Sequence, residues 1–127
     1  PEWGGMASPL LKNVLLMCSG QDTAHKPVLL VASSGSVSGA YPIAELRMNA
    51  FKNNKLVAIP DHLIIRNVGE VLNCDNKAEL SDKDNHIRHR IGYSLHVLYH
   101  YSESLRALRT NLSITPYNNE ERYSYGM

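Results

Sequence analysis

The segment that most constrains the fold is Lys26-Pro27-Val28-Leu29-Leu30-Val31-Ala32, which breaks into Ser33-Ser34-Gly35-Ser36-Val37-Ser38-Gly39 and restarts at Ala40-Tyr41-Pro42-Ile43-Ala44-Glu45-Leu46-Arg47. Residues 28–32 are apolar without interruption, and Pro27 and the Ser/Gly loop bound them. So short an apolar run reads as a central strand of a parallel sheet, buried on both faces. Pro42 suits a first helical turn, and Ile43, Leu46 and Phe51 fall inward on a helix predicted over 42–53. Strand, small-residue loop and helix form the repeating unit of an open α/β sheet, in which ligands bind at the strand ends.

The same unit opens the chain. Pro1-Glu2-Trp3-Gly4-Gly5-Met6 is a glycine-rich turn that runs into Ala7-Ser8-Pro9-Leu10-Leu11-Lys12-Asn13. Leu10, Leu11, Val14, Leu15 and Cys18 have the i, i+3, i+4 spacing of a helix over 8–19. Gly20 to His25 reads as a polar connector. Leu56 to Ile59 reads as a second strand stopped by Pro60, and His62 to Val68 as an edge strand or an extended arm. Residues 73–82 are a polar loop. A long amphipathic helix is predicted over 84–109, with Ile87, Ile91, Leu95, Leu98 and Leu105 as its apolar stripe. The stretch from Thr110 to Met127, with Pro116, Tyr117, Tyr123 and Tyr125, reads as an irregular tail. Alternating helices and strands are the grammar of a doubly wound parallel sheet. Two parallel strands do not make a stable sheet, so strand 28–32 is expected to have a partner on its other edge.

Composition excludes several functions. The 127 residues suffice for one small domain, at 43% hydrophobic and 20% charged. A formal net charge of +1 gives no drive towards nucleic acid or an acidic membrane. No apolar run approaches the ~20 residues of a membrane span. A cytoplasmic protein is therefore expected. Cys18 and Cys74 lack metal or redox spacing and read as reduced structural thiols.

Two segments remain as candidates for chemistry. Gly4 and Gly5 allow close backbone approach to a ligand, and Trp3 is able to flank a planar ring, although an ordinary turn before a helix has the same composition. The loop Ser33 to Gly39 is either an anion cradle built of N–H groups or a flexible connector. It is neither a P-loop nor a dinucleotide fingerprint, because no Gly-Lys-Ser/Thr follows and Gly35 and Gly39 have the wrong spacing. His86, His89, His96 and His100 share one face of the long helix with Tyr93. The His96/His100 pair has zinc-compatible spacing, but no HExxH pattern accompanies it, so a solvated or subunit-facing surface is the better reading and no metal is assigned. No triad pattern supports hydrolase chemistry.

Taken together, Pro1-Glu2-Trp3-Gly4-Gly5, the helix start Pro9-Leu10-Leu11-Lys12-Asn13 and the strand from Lys26 into the small-residue loop ending at Gly39 resemble the NAD(P)H-dependent FMN reductases. These are flavodoxin-like flavoproteins that include azo- and chromate-reducing enzymes. Their ring-binding loop reads Pro-Glu-Tyr-Asn-Gly before a Pro-x-x-Leu-Lys-Asn helix start. The resemblance spans roughly residues 1–72, and Trp3 and Gly4 depart from it. It implies a flavodoxin-like doubly wound parallel sheet in three α/β/α layers, of which residues 1–127 form the C-terminal half, with 110–127 as tail. It also implies that the family's flavin-phosphate loop, which follows its first strand, lies outside these residues.

The resemblance further implies FMN as cofactor and NADPH or NADH as co-substrate, with hydride passed to FMN and on to a flavin, quinone or similar acceptor. It places Pro1, Glu2, Trp3, Gly4, Gly5, Met6, Ser34, Gly35, Ser36 and Gly39 around the flavin, with no side chain acting as catalyst. A homodimer or homotetramer is expected, without nucleic-acid or membrane partners. The alternatives are a flavodoxin-like binding or electron-transfer protein, and a non-catalytic chain without flavin.

Overall fold

The computed structural model of the protein describes residues 1–74, 76 and 79–118. The order is α1 (Pro9–Met17), α2 (Gly20–Thr23), β1 (Pro27–Ser33), α3 (Ala40–Asn49), β2 (Val57–Ile65) and α4 (Asp82–Ile114). The two strands pair in parallel, as the apolar run and its flanking helices predicted. The fold is thus mixed α/β, and among the described residues its sheet has two strands.

Alternation along β1 builds the core. Leu30 and Ala32 are buried with Ala7, Ile43 and Leu46, and Val28, Leu15, Phe51, Ala58 and Ile64 pack around them. Helix α3 begins at Ala40 rather than residue 42 and ends at Asn49, with Ile43 and Leu46 inward as predicted. Phe51 lies just beyond it, still against the core. Leu63 is in register with Val31, so it points away from Leu30 and Ala32, yet it too is buried. Both α3 and α4 pack on both strands.

Pro60 does not stop the second strand, which runs from Val57 to Ile65 and takes in the first part of the segment 62–68 predicted as an edge strand or extended arm. The register explains how. Val28 faces Ala58 but Leu30 faces His62, so β2 bulges outward around Pro60. A proline lacks the N–H a ladder needs, and a bulge is where a strand accommodates it. Two arginines secure the bulge. Arg47 donates from Nη2 to the carbonyls of Ile59, Pro60 and Asp61 at 2.9, 3.0 and 3.3 Å. Arg90 forms a two-pronged ion pair with Asp61 and also donates to Ser94 Oγ at 2.6 Å. The guanidinium holds the Asp61 carboxyl far below the usual carboxylate range.

Three other boundaries differ from expectation. The helix predicted over 8–19 ends at Met17, and the supposed connector contains α2, capped by the Ser19 hydroxyl accepting from Asp22 N–H. Helix α4 spans 33 residues and takes in the first part of the predicted tail. Ser81 caps it by accepting from Asp84 N–H at 3.1 Å. Its inward face includes Ser94, fully buried, while Leu95 is 52% exposed and does not belong to the stripe. Residues 119–127, with Tyr123 and Tyr125, lie outside the described residues.

Candidate functional site

The predicted loops meet at the C-terminal end of β1. Glu2 N–H donates to the Ser33 carbonyl at 2.8 Å, which fixes the Pro1–Met6 segment beside the strand end. That segment is a tight turn in which Trp3 and Met6 bond each other's backbones at 3.1 and 3.3 Å. Gly4 and Gly5 are its two central residues, at φ +57° and +78°. Two positive φ values in a two-residue turn account for both glycines. The turn lies over the start of α3, where a Cβ on Gly5 would come 3.8 Å from the Tyr41 ring. Trp3 is largely exposed at its tip.

A carboxylate anchors the turn to α3. Glu45 accepts from Ala7 N–H at 2.7 Å and from Lys12 Nζ at 2.8 Å. Those two donors, the lysine first, hold its pKa below the ordinary glutamate value. Glu45 and Lys12 thus clamp the start of α1 onto α3, a role that the sequence reading did not assign.

In the second loop the four sequence-predicted site residues, Ser34, Gly35, Ser36 and Gly39, separate by duty. Ser34 is buried, and its hydroxyl accepts from Ser36 N–H at 3.2 Å and bonds the Ser38 hydroxyl at 3.0 Å. The loop is tied to the segment after β2: Ser34 N–H donates to the Ile65 carbonyl, and Asn67 and Val68 N–H donate back to Ser36 and Ser34. Gly39 is buried at φ +108°, and a Cβ there would lie 2.5 Å from Ile64 Cγ2, so helix packing demands this glycine. Gly35 has no such demand: a Cβ there would meet nothing within 4 Å. Gly35 and Ser36 are exposed towards the outside of the loop.

Among the described residues, the N–H groups of Gly4, Gly5, Gly35, Val37 and Ser38 find no acceptor in the protein. Donors left open in two adjoining loops are equipped to bind an acceptor-rich ligand. Glu2 contributes the opposite need, because its Oε2 is buried without any donor. Buried polar atoms without partners are rare in folded proteins. The site therefore combines open donors with one orphaned acceptor.

The histidine face of α4 is exposed, and the His96 and His100 rings meet edge to face with centroids 4.5 Å apart. Among the described residues, no group of three or more histidine, cysteine or acidic side chains is placed to hold a metal. No described helix is long and apolar enough to cross a membrane.

The family model for NADPH-dependent FMN reductase matches residues 1–70, from the first turn through β2 and the segment beyond it. The match covers more than half of the chain, and the chain belongs to that family of flavin-related oxidoreductases. No curated protein matches it.

Proposed function

We propose that the two loops at the end of β1 are the flavin-ring part of an FMN site, and that the protein transfers hydride from NADPH or NADH to FMN and on to a flavin, quinone or similar acceptor. The observation that carries this reading is the set of open N–H groups at Gly4, Gly5, Gly35, Val37 and Ser38, joined into one site by the Glu2–Ser33 hydrogen bond. A flavin ring offers acceptors at its pyrimidine oxygens and N5, and a donor at N3. The open amides suit the acceptors, and buried Glu2 Oε2 suits a ring N–H or a ribityl hydroxyl.

FMN, when bound, supplies the redox chemistry of the reaction, as flavin cofactors do generally. The chain's own residues bind and orient. Gly35 leaves room for close approach, Trp3 offers an aromatic face, and the Glu45 clamp sets the position of the first turn. The chemistry needs no side-chain catalyst.

The full three-layer flavodoxin-like sheet also belongs to this proposal. Its support is the opposite facing of Leu30 and Leu63, both buried, and the second edge of β1, where Val31 is 50% exposed. A groove of about 400 Å³ lined by Leu10, Leu11, Val14, Val31 and Pro42 runs along that edge and suits further strands of such a sheet. Assembly as a homodimer or homotetramer is favoured by the exposed Tyr93, Leu95 and Tyr99 on α4.

The test compares FMN with riboflavin. The loop residues 33–39 contain no cation of their own and the neighbouring Arg66 is engaged by the Ser38 carbonyl at 3.0 Å, so the contacts expected are ring stacking and hydrogen bonds worth about 1 kcal/mol each. We expect weak binding of both flavins by this chain, with affinities within about threefold of each other. FMN binding more than about tenfold tighter than riboflavin would place a phosphate site within these residues. Absence of binding by both would refute the flavin reading.

A further inference from the structure

At the other end of the strands, an open cleft of about 690 Å³ lies between the α1–α2 corner, the residues just before β1 and β2, and the last turns of α4. It lies a strand's length, roughly 20 Å, from the flavin loops. Its charged lining is of one sign. Lys55 and Arg109 both face it, with His25 between them, and no carboxylate lines it among the described residues. Neither cation has an ion-pair partner among the described residues, and both are half-buried. Two neighbouring cations without a counter-charge make the cleft locally positive and suited to an anion.

The backbone adds a second observation. His25 and Lys55 both have left-handed backbones, at φ +57° and +55°. They are bonded to each other, His25 N–H donating to the Lys55 carbonyl at 2.9 Å. Arg109 donates from Nη1 to the His25 carbonyl at 2.9 Å, which fixes the guanidinium at the cavity wall. Strained non-glycine residues persist where surrounding structure holds them, often at functional sites. Leu16 and Leu112, both exposed, line the same space, Leu112 one turn from Arg109 on α4, so apolar surface adjoins the two cations.

We propose that this cavity binds a small organic anion, a carboxylate or a phosphate monoester with an apolar body. Lys55 and Arg109 hold the charged head, and Leu16 and Leu112 cover the apolar part. The site is separate from the flavin loops, and its ligand is bound rather than transformed.

The test uses the whole chain, with phenyl phosphate, benzoate and neutral benzyl alcohol as probes, followed by calorimetry and backbone amide shifts. Lys55→Asn removes the charge while asparagine tolerates the left-handed backbone, so this variant is expected to fold at least as stably. We expect an anion to bind with shifts at Gly20, His25 and Lys55, and Lys55→Asn to weaken it about tenfold or more. Lys55→Arg should keep binding within about threefold. Binding of both anions, or of phenyl phosphate or benzoate alone, supports the site and identifies its head group. The proposal is overturned if neither anion binds or if benzyl alcohol binds as tightly. It is equally overturned if Lys55→Asn leaves affinity unchanged or if the shifts fall on Gly35 to Ser38.

Discussion

Replacing Gly39 with alanine tests the packing that positions the second loop. The new Cβ would lie 2.5 Å from Ile64 Cγ2, about 1 Å inside ordinary contact, on a backbone at φ +108°. Overpacking of this kind costs about 1–3 kcal/mol, and a left-handed backbone costs an alanine about 1–2 kcal/mol. The lower entropy of the unfolded alanine chain returns about 0.4–1 kcal/mol. The net expectation is about 3 kcal/mol of destabilisation, or a Tm lower by roughly 10 °C. The control is Gly35→Ala in the same loop, where the added carbon meets nothing, and the expected change is within about 0.5 kcal/mol. Urea unfolding of both variants measures the difference. Ile64→Ala removes the colliding methyl, so in that background Gly39→Ala should cost about 1–2 kcal/mol less. Equal costs for Gly39→Ala and Gly35→Ala, or strict additivity with Ile64→Ala, would refute the steric argument.

The bulge in β2 should depend on its ion pair: Asp61→Asn leaves Arg90 only about a third exposed and unpaired, and we expect a loss of about 1–2 kcal/mol by chemical denaturation. Acid should weaken the fold through Asp61, Asp84 and Glu45, whose pKa values are lowered chiefly by Arg90, Arg88 and Lys12 respectively. A carboxylate with a folded pKa below its unfolded value stabilises fully above about pH 4–5, and this stabilisation is lost as pH falls through the folded value. Thermal midpoints should therefore begin to drop below about pH 5 and keep dropping below about pH 3, and drop less in Asp61→Asn. At Gly35, a valine should leave the unfolding midpoint within about 2 °C yet weaken riboflavin binding severalfold in a fluorescence titration. The corresponding change at Gly5 is a poorer probe, because φ +78° would strain any side chain there.

Much of this was legible because local and global signals agree. The apolar run at 28–32 is short and bounded by Pro27 and the Ser/Gly loop, which favours a strand, and Pro42 with Ile43 and Leu46 is a helix that needs a face to cover. Pro60 misled because its effect on a strand depends on partners distant in sequence: Arg47 takes up the carbonyls of the bulge, and Arg90 holds Asp61. The start of α4 and the existence of α2 carry a local signal in the sequence. Ser19-x-x-Asp22 and Ser81-x-x-Asp84 share one capping spacing, and both serines cap. Leu95 fitted a helical stripe by periodicity, yet Ser94 takes the inward position because Arg90 and Asp61 provide a polar neighbour for its hydroxyl. At the site, the glycines were visible but their duties were not. Only the fold separates Gly39, required by Ile64, from Gly35, which faces open space. The Glu45 clamp joins residues 33 and 38 positions apart, a pairing that no local pattern contains.

The central proposal is that the two loops at the end of β1 form one flavin-ring site. Riboflavin titrated into the isotope-labelled chain tests this most directly, read by the backbone amides of Gly4 and Gly5 in one loop and Gly35, Val37 and Ser38 in the other. We expect both sets to shift together along one binding curve, with Gly20 and Lys55 at the far end of the strands unmoved. Shifts confined to one loop, or centred on the far cavity, would contradict the account.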